Sequence, residues 1–200
     1  MMSNVFFLSQ LNSDFYSKLA NLNTKKVVIT GGPGTGKSTL INNLIKRGYS
    51  CLEEISRKVI QNAQKKGVDQ LFLTNPLLFS ELLLSGREKQ FIDAEQFENQ
   101  TVFFDRGIPD VLAYMDYIGD KYPEKFTESC ALAKYDAVFI LKPWEAIYKS
   151  DNERYESFEQ ALKINDHLIN TYSKLNYNLI DVPFDTVKNR TDFIENTLNL

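Results

Sequence analysis

The 200-residue sequence is poor in features that would each indicate a particular class of protein. Its two cysteines, Cys51 and Cys130, lie far apart and among apolar or small neighbours. They have neither the spacing of a metal site nor that of a disulfide framework, so we expect core cysteines and a reducing cytoplasm. An excess of basic residues is also missing, because the formal net charge is −3. Binding nucleic acid without sequence preference requires a basic face, and we therefore expect no nucleic-acid partner.

Long hydrophobic runs are absent as well. The apolar run at residues 5–8 is short and lacks the basic start of a secretory signal. No later segment approaches the roughly 20 residues needed to cross a bilayer, so we expect no membrane insertion. A composition of 43% hydrophobic and 24% charged residues is ordinary for one α/β domain with a single core.

The order of apolar patterns predicts a parallel sheet. Residues 1–24 carry scattered apolar positions at near-helical spacing, which predicts a helical extension before the main domain at residues 25–200. In that domain, strand-length apolar runs alternate with helical patterns. The predicted strands are Lys26 to Thr30, Tyr49 to Leu52, Thr101 to Phe104, Ala137 to Leu141 and Leu179 to Val182.

Two helix starts are marked by capping signals. Asn75 followed by Pro76 predicts a long helix from that point, and Ser157 with Gln160 has the form of a capping box. The Leu82-Leu83-Leu84 cluster is expected in the core, although a homodimer interface stays open as an alternative.

The most informative feature present is a phosphate-binding loop directly after the first predicted strand. It reads Gly31-Gly32-Pro33-Gly34-Thr35-Gly36-Lys37-Ser38-Thr39 and fits the pattern G-x-x-x-x-G-K-[ST]. Glycines let successive amides converge on one anion, Lys37 is predicted to contact the β and γ phosphates, and Ser38 is placed to ligate Mg²⁺. A nucleoside triphosphate is therefore the predicted ligand, with ATP favoured and GTP as the alternative.

Asp105 directly follows the third predicted strand, which is the position from which an aspartate binds the water shell of Mg²⁺ in P-loop proteins. The alternative is an aspartate that only shapes a turn. Motors that hydrolyse ATP usually follow this aspartate with a glutamate that activates water, whereas the next residue here is Arg106. An Asp-Arg pair is typical of nucleoside and nucleotide kinases, which makes Arg106 a predicted ligand of the transferred phosphoryl group. The alternative for Arg106 is a surface ion pair.

Two further charged residues complete the predicted site. Glu54 follows the second strand, where a carboxylate is placed to orient or deprotonate an acceptor hydroxyl, unless it only begins a solvated helix. Arg154 lies in a polar stretch before the capping box and is predicted to close over ATP as a lid residue, unless that stretch is an ordinary loop. Trp144 is expected in the core, and His167 receives no role because it has no histidine partner.

Four motifs in this order resemble the NadR/Ttd-type AAA family of P-loop ATPases, from Lys25 to the carboxyl terminus. They are Gly31 to Thr39, Glu53 to Arg57, Phe103 to Asp110 and Asp151 to Tyr155. The resemblance implies a compact kinase-like domain that binds ATP or GTP with Mg²⁺. The family includes the nicotinamide riboside kinase domain of the bacterial NAD regulator.

Taken together, the residues and the resemblance predict a P-loop NTPase fold, with a five-stranded parallel sheet in the order 2-3-1-4-5 flanked by helices. The predicted activity is transfer of the ATP γ-phosphate to a small-molecule acceptor, a nucleoside or ribosyl compound. A nucleotide-gated binding module and a stand-alone ATPase remain as alternatives.

Overall fold

Five parallel strands form one sheet in the computed structural model, which describes residues 24–65, 67–97, 100–148 and 157–200. The strand order is β2-β3-β1-β4-β5, which confirms the predicted topology. The strands are β1 Lys25–Thr30, β2 Ser50–Leu52, β3 Thr101–Asp105, β4 Ala137–Ile140 and β5 Leu179–Asp181. Each predicted strand end lies within one residue of the observed one.

Helices cover both faces of the sheet and connect its strands. In the described ranges they are α1 Lys37–Lys46, α2 Ser56–Gln64, α3 Leu71–Thr74, α4 Pro76–Asp93, α5 Ile108–Ile118, α6 Lys125–Leu132, α7 Phe158–Lys174 and α8 Val187–Leu198. Short 3-10 turns lie at Ala94–Gln96 and Glu145–Ile147. None of these helices combines the length and apolarity that a membrane crossing requires within the described residues.

The two predicted helix starts are confirmed. The Asn75 side chain accepts a hydrogen bond from the Leu78 amide at 3.1 Å and caps α4. Ser157 caps α7 reciprocally: its hydroxyl accepts from the Gln160 amide at 3.2 Å, and its own amide donates to the Gln160 side chain at 2.7 Å. These contacts satisfy amides that the first helical turn leaves without partners.

Alternation along the strands divides the core into two layers. On one face, Val28 and Phe104 pack with apolar residues of α4, α5 and α7. On the other, Val27 and Phe103 pack with residues of α1 and α8. Because β1 lies between β3 and β4 and both neighbours run parallel to it, the carboxyl ends of these three strands meet at one edge.

Two expectations about the core need adjustment. Cys130 is buried as predicted, but Cys51 is only half-buried because β2 is a short strand at the sheet edge. Leu83 and Leu84 are buried, whereas Leu82 is 36% exposed. Three consecutive helical residues span about 200°, which is wider than the face that α4 turns to the core.

Apart from Thr24, the predicted extension at 1–24 lies outside the described residues.

Candidate functional site

The loop between β1 and α1 is shaped by glycines that leave no space for side chains. A Cβ on Gly31 would lie 2.3 Å from the carbonyl oxygen of Leu141, and its φ is +147°. Gly36 has a φ of 86° and occupies the N-cap position of α1 without a side chain to cap the first turn. The amides of that turn are therefore open to an anion, which the helix dipole also favours. Ser38 and Thr39 in this turn are exposed.

Neighbouring elements approach the loop backbone closely. A Cβ on Gly32 would lie 3.1 Å from the carbonyl oxygen of Ala161 in α7, and one on Gly34 would lie 2.6 Å from the Tyr148 ring. The Thr35 hydroxyl donates to the Gly32 carbonyl at 3.0 Å. The loop is thus held by contacts on several sides, and Pro33 at its turn is half-buried.

Lys37 is a buried cation that bonds to the loop's own backbone. Its Nζ donates to the carbonyls of Gly31 at 2.7 Å and Gly32 at 2.6 Å, and to the Thr35 hydroxyl at 3.3 Å. Burial, together with the nearby charge of Arg106, lowers the pKa of Lys37 to about 7. An anion placed in the loop would reverse this shift, because it would stabilise the charged form.

Asp105 ends β3 beside this lysine and has a carboxylate oxygen without a partner. The side chain is buried, and its Oδ1 accepts no hydrogen bond from the described residues. Burial raises the pKa of Asp105, while the charges of Lys37 and Arg106 oppose that rise. The Asp105 carboxylate and the Ser38 hydroxyl follow neighbouring parallel strands at the same end of the sheet. Such oxygens are the ligands that hydrated Mg²⁺ takes together with phosphate oxygens. Within the described ranges, no three His, Cys, Asp or Glu side chains cluster as metal ligands.

Glu54 lies at the same edge and is held by two arginines. Its Oε2 accepts from Arg106 Nε at 2.5 Å, and its Oε1 lies 3.5 Å from Arg87 Nη2. Burial acts to raise the pKa of Glu54, but the charges of Arg106 and Arg87 and the Ser56 amide outweigh it and lower the pKa to about 2. Glu54 is therefore ionised at neutral pH. This carboxylate is suited to accept a hydrogen bond and poorly suited to take a proton.

Arg106 connects this carboxylate to the phosphate loop. Its Nη1 donates to the Gly31 carbonyl at 3.1 Å and lies 3.4 Å from Asp110 Oδ1. Although burial acts against it, the carboxylates of Glu54 and Asp110 raise the pKa of Arg106 above its usual value. The backbone of Arg106 has a φ of 74°, a strained conformation for a residue with a Cβ that surrounding contacts must maintain.

Asp110 is the carboxylate that maintains this turn. It accepts from the Gly107 amide at 2.9 Å, the Thr30 hydroxyl at 2.6 Å and the Tyr172 hydroxyl at 2.5 Å. These donors come from β1, the turn after β3, and α7. Asp110 therefore joins three elements next to the Arg106 guanidinium.

Sequence reasoning missed Arg87, Tyr172 and Thr30. Arg87 is buried in α4 and donates from Nη1 to the Gly107 carbonyl at 2.6 Å. A signal was present, since Arg87 and Glu88 interrupt the apolar pattern of α4. Tyr172 lies 62 positions from Asp110 in the chain, and nothing local to either residue indicates the contact.

Three expectations away from the loop have different outcomes. Trp144 is half-buried instead of lying in the core, because it follows β4 and stacks on Phe184, which is 53% exposed, with ring centroids 5.3 Å apart. His167 packs edge-on against Tyr117. Arg154 and the stretch around it lie outside the described residues, so its lid role stays a prediction.

A parallel sheet in the order 2-3-1-4-5, with a glycine loop leading into α1, defines the P-loop class of nucleotide-binding folds. The chain belongs to the AAA domain family, whose model matches residues 26–190. Among curated proteins, none matches the sequence.

Solved structures with the same fold include several kinases. Deoxyadenosine kinase from M. mycoides has 19% sequence identity and a TM-score of 0.61, with 87% of this chain and 98% of that chain covered. Thymidylate kinase from Candida albicans has 17% identity and a TM-score of 0.62, covering 90% and 93%. NadR, solved in complex with NR, has 14% identity and a TM-score of 0.66, covering 89% of this chain and 52% of that one. At these identities the likeness concerns the fold.

The hydrogen bond from Tyr172 to Asp110 yields a stability prediction. Tyr172→Phe removes a donor from the buried Asp110 carboxylate, and hydrogen bonds to charged groups are worth about 1.5–3 kcal/mol. We expect the free energy of unfolding, measured with urea, to fall by about that amount.

Tyr177→Phe is the matched control, because the Tyr177 hydroxyl bonds only to backbone groups in the described residues, at 3.2 and 3.3 Å. Its loss should cost about 0.5–1.5 kcal/mol. Equal losses of unfolding free energy in the two variants would contradict the prediction that the bond to Asp110 is the stronger one.

Proposed function

We propose that this chain is a P-loop kinase that binds ATP with Mg²⁺ and transfers the γ-phosphoryl group to a small acceptor, a nucleoside or ribosyl compound. The observation that carries the proposal is the position of Arg106. Its guanidinium contacts Glu54 on one side and the Gly31 carbonyl of the phosphate loop on the other. A cation between a hydroxyl-orienting carboxylate and the loop is placed where charge develops during phosphoryl transfer.

The donor side is formed by the loop. Lys37 and the amides that begin α1 would hold the β and γ phosphates, exchanging the lysine's carbonyl partners for phosphate oxygens. Ser38 and Asp105 would hold Mg²⁺, which neutralises phosphate charge when bound. GTP satisfies the same phosphate contacts, so the base preference depends on residues beyond this loop.

On the acceptor side, Glu54 would orient the hydroxyl. Because its pKa is about 2, Glu54 accepts the hydroxyl's hydrogen bond without removing the proton at the start. A bond forms between the acceptor oxygen and the γ phosphorus as the bond to the β–γ bridging oxygen breaks, and ADP leaves. The hydroxyl proton passes to the Glu54 carboxylate late in a loose transition state, once the new oxygen–phosphorus bond has made it strongly acidic, and is then released to water. Arg106 offsets charge on the transferred group.

Two comparisons support a kinase over a hydrolytic motor. Arg106 stands where such motors carry a water-activating glutamate. The solved structures that share the fold include kinases named for deoxyadenosine and thymidylate. A nucleoside or ribosyl acceptor is in line with the names of these kinases. We propose that the protein acts in the cytoplasm, as a monomer or a homodimer.

Incubation with Mg·ATP and a panel of nucleosides, nucleotides and vitamins tests the proposal directly. We expect one acceptor class to gain one phosphoryl group by mass spectrometry. Lys37→Ala should reduce turnover by about 100-fold or more, because it removes a buried charge from the transition state. Unchanged turnover in that variant, with the fold intact by circular dichroism, would sink the assignment.

Glu54→Gln separates a kinase from a nucleotide-gated module. Loss of the orienting carboxylate should lower kcat about 100-fold or more while ATP affinity changes little. The control is Glu53→Gln, because the adjacent Glu53 side chain is exposed and its loss should leave kcat within about twofold. No phosphorylated acceptor across the panel, with ATP still bound, would favour the module, and phosphate release without an acceptor would favour a stand-alone ATPase.

The lowered pKa of Lys37 predicts how ATP affinity depends on pH. Phosphates raise this pKa in the complex, so binding takes up a proton above the free value of about 7. Affinity should be fully present below pH 7 and should fall by up to about tenfold per pH unit above it. Calorimetry of Mg·ATP binding at pH 8, in two buffers of different ionisation enthalpy, should show uptake of close to one proton. Zero uptake at pH 8 would contradict the prediction.

A further inference from the structure

Arg190 is a buried cation behind the phosphate loop. It lies in α8 with 3% of its surface exposed. Its Nη2 donates to the carbonyl oxygen of Thr35 at 3.2 Å, and its Nε has no hydrogen-bond partner in the described part of the chain. A Cβ on Gly36 would lie 2.9 Å from Arg190 Nη1, so the guanidinium packs directly against the loop backbone.

Two other arginines of the site, the buried Arg87 and the partly buried Arg106, have different partners. Arg87 and Arg106 both face the carboxylate of Glu54. Arg190 has no carboxylate within ion-pair distance among residues 24–65, 67–97, 100–148 and 157–200. Burying a charge without a counter-charge is costly, and burial accordingly lowers the pKa of Arg190.

Lys37 also makes no ion pair among the described residues, although the charge of Asp105 lies near it. It is buried at the same loop and bonds to backbone carbonyls and one hydroxyl. Two buried cations from different elements, both bonded to neutral groups of one loop, leave an excess of positive charge there. A phosphate chain carrying several negative charges is the ligand that offsets such an excess.

Arg190 also determines the direction of a loop amide. The Thr35 carbonyl and the Gly36 N–H belong to one peptide group, and that group is trans because the described chain has no cis peptide bond. In a trans peptide the C=O and N–H point in opposite directions. Since the carbonyl points to Arg190, the Gly36 N–H points away from Arg190. A charged donor on the carbonyl also polarises the peptide, which makes its N–H a stronger donor.

We propose that Arg190 is a positioning residue for the nucleotide phosphates, holding the Thr35–Gly36 peptide so that the Gly36 N–H is directed at them and supplying charge that they neutralise. The inference rests on the nucleotide binding in the proposed function and does not depend on the transfer step. It adds to the site a residue from the last helix, about 150 positions after the loop that it orients.

Calorimetry with two probes, Mg·ATP and magnesium tripolyphosphate, tests this role. Arg190→Met should raise the Kd of both probes by roughly 10- to 100-fold, because the lost bond carries a charge. Arg190→Lys keeps the charge but lacks the planar guanidinium. Its Kd values should therefore lie between those of the wild type and Arg190→Met. AMP, which brings fewer charges, should be affected less than ATP.

Arg47→Met is the matched control. Arg47 also bonds to α8, through Glu195 and Asp192, but on the surface and away from the loop. Its removal should leave both Kd values within about twofold of wild type. A spectroscopic readout adds to this: the Gly36 amide resonance of the wild type should shift strongly on adding tripolyphosphate, and that shift should shrink in Arg190→Lys.

Equal Kd values in the wild type and a folded Arg190→Met variant would overturn the inference while leaving nucleotide binding intact. If Arg190→Met does not fold, the lysine variant decides, and wild-type affinity with an unchanged Gly36 shift would overturn the inference. Loss of affinity in the arginine variants without any phosphorylated acceptor would uphold the inference and overturn only the kinase. A wild type that binds neither probe would overturn both.

Discussion

The Arg106 guanidinium lies between two carboxylates and the first carbonyl of the phosphate loop, and the rest of the site depends on this neutralisation of charge. Arg106 keeps Glu54 ionised and in place, while Asp110 keeps Arg106 in a backbone conformation that its side chain disfavours. Removing any member would weaken this neutralisation of charge, because each charge would lose one of its partners. The half of the site that we propose for the acceptor therefore has its charged groups paired in the folded chain.

The half that we propose for the nucleotide phosphates has the opposite character. Lys37 bonds to neutral groups of the loop, and a carboxylate oxygen of Asp105 has no partner in the described residues. Arg190 shares this incomplete state in our proposal. Such groups cost stability until a ligand meets them. This contrast agrees with the proposed function, in which phosphates and Mg²⁺ would supply the missing partners of the second half.

Sequence reasoning was most successful where a local pattern determines a local structure. The five strands and the loop from Gly31 could be read directly, and the parallel topology then places Glu54 and Arg106 at one edge. It was least successful where a helix supplies a partner from far along the chain. Tyr172 reaches Asp110 from α7, and no spacing in the sequence encodes that contact. The prediction that Trp144 lies in the core was wrong for a related reason. An aromatic residue after a strand packs inward or outward according to its neighbours, and the neighbour here, Phe184, is exposed at the surface.

Helix α7 touches the site at two points, the Ala161 carbonyl against Gly32 and the Tyr172 hydroxyl on Asp110. The two positions are separated by about three helical turns and so project from the same side. One residue inserted between them would rotate one contact by about 100° relative to the other. The number of residues between Ala161 and Tyr172 therefore sets the relative position of the two contacts. Insertions and deletions in related proteins should lie outside this part of α7.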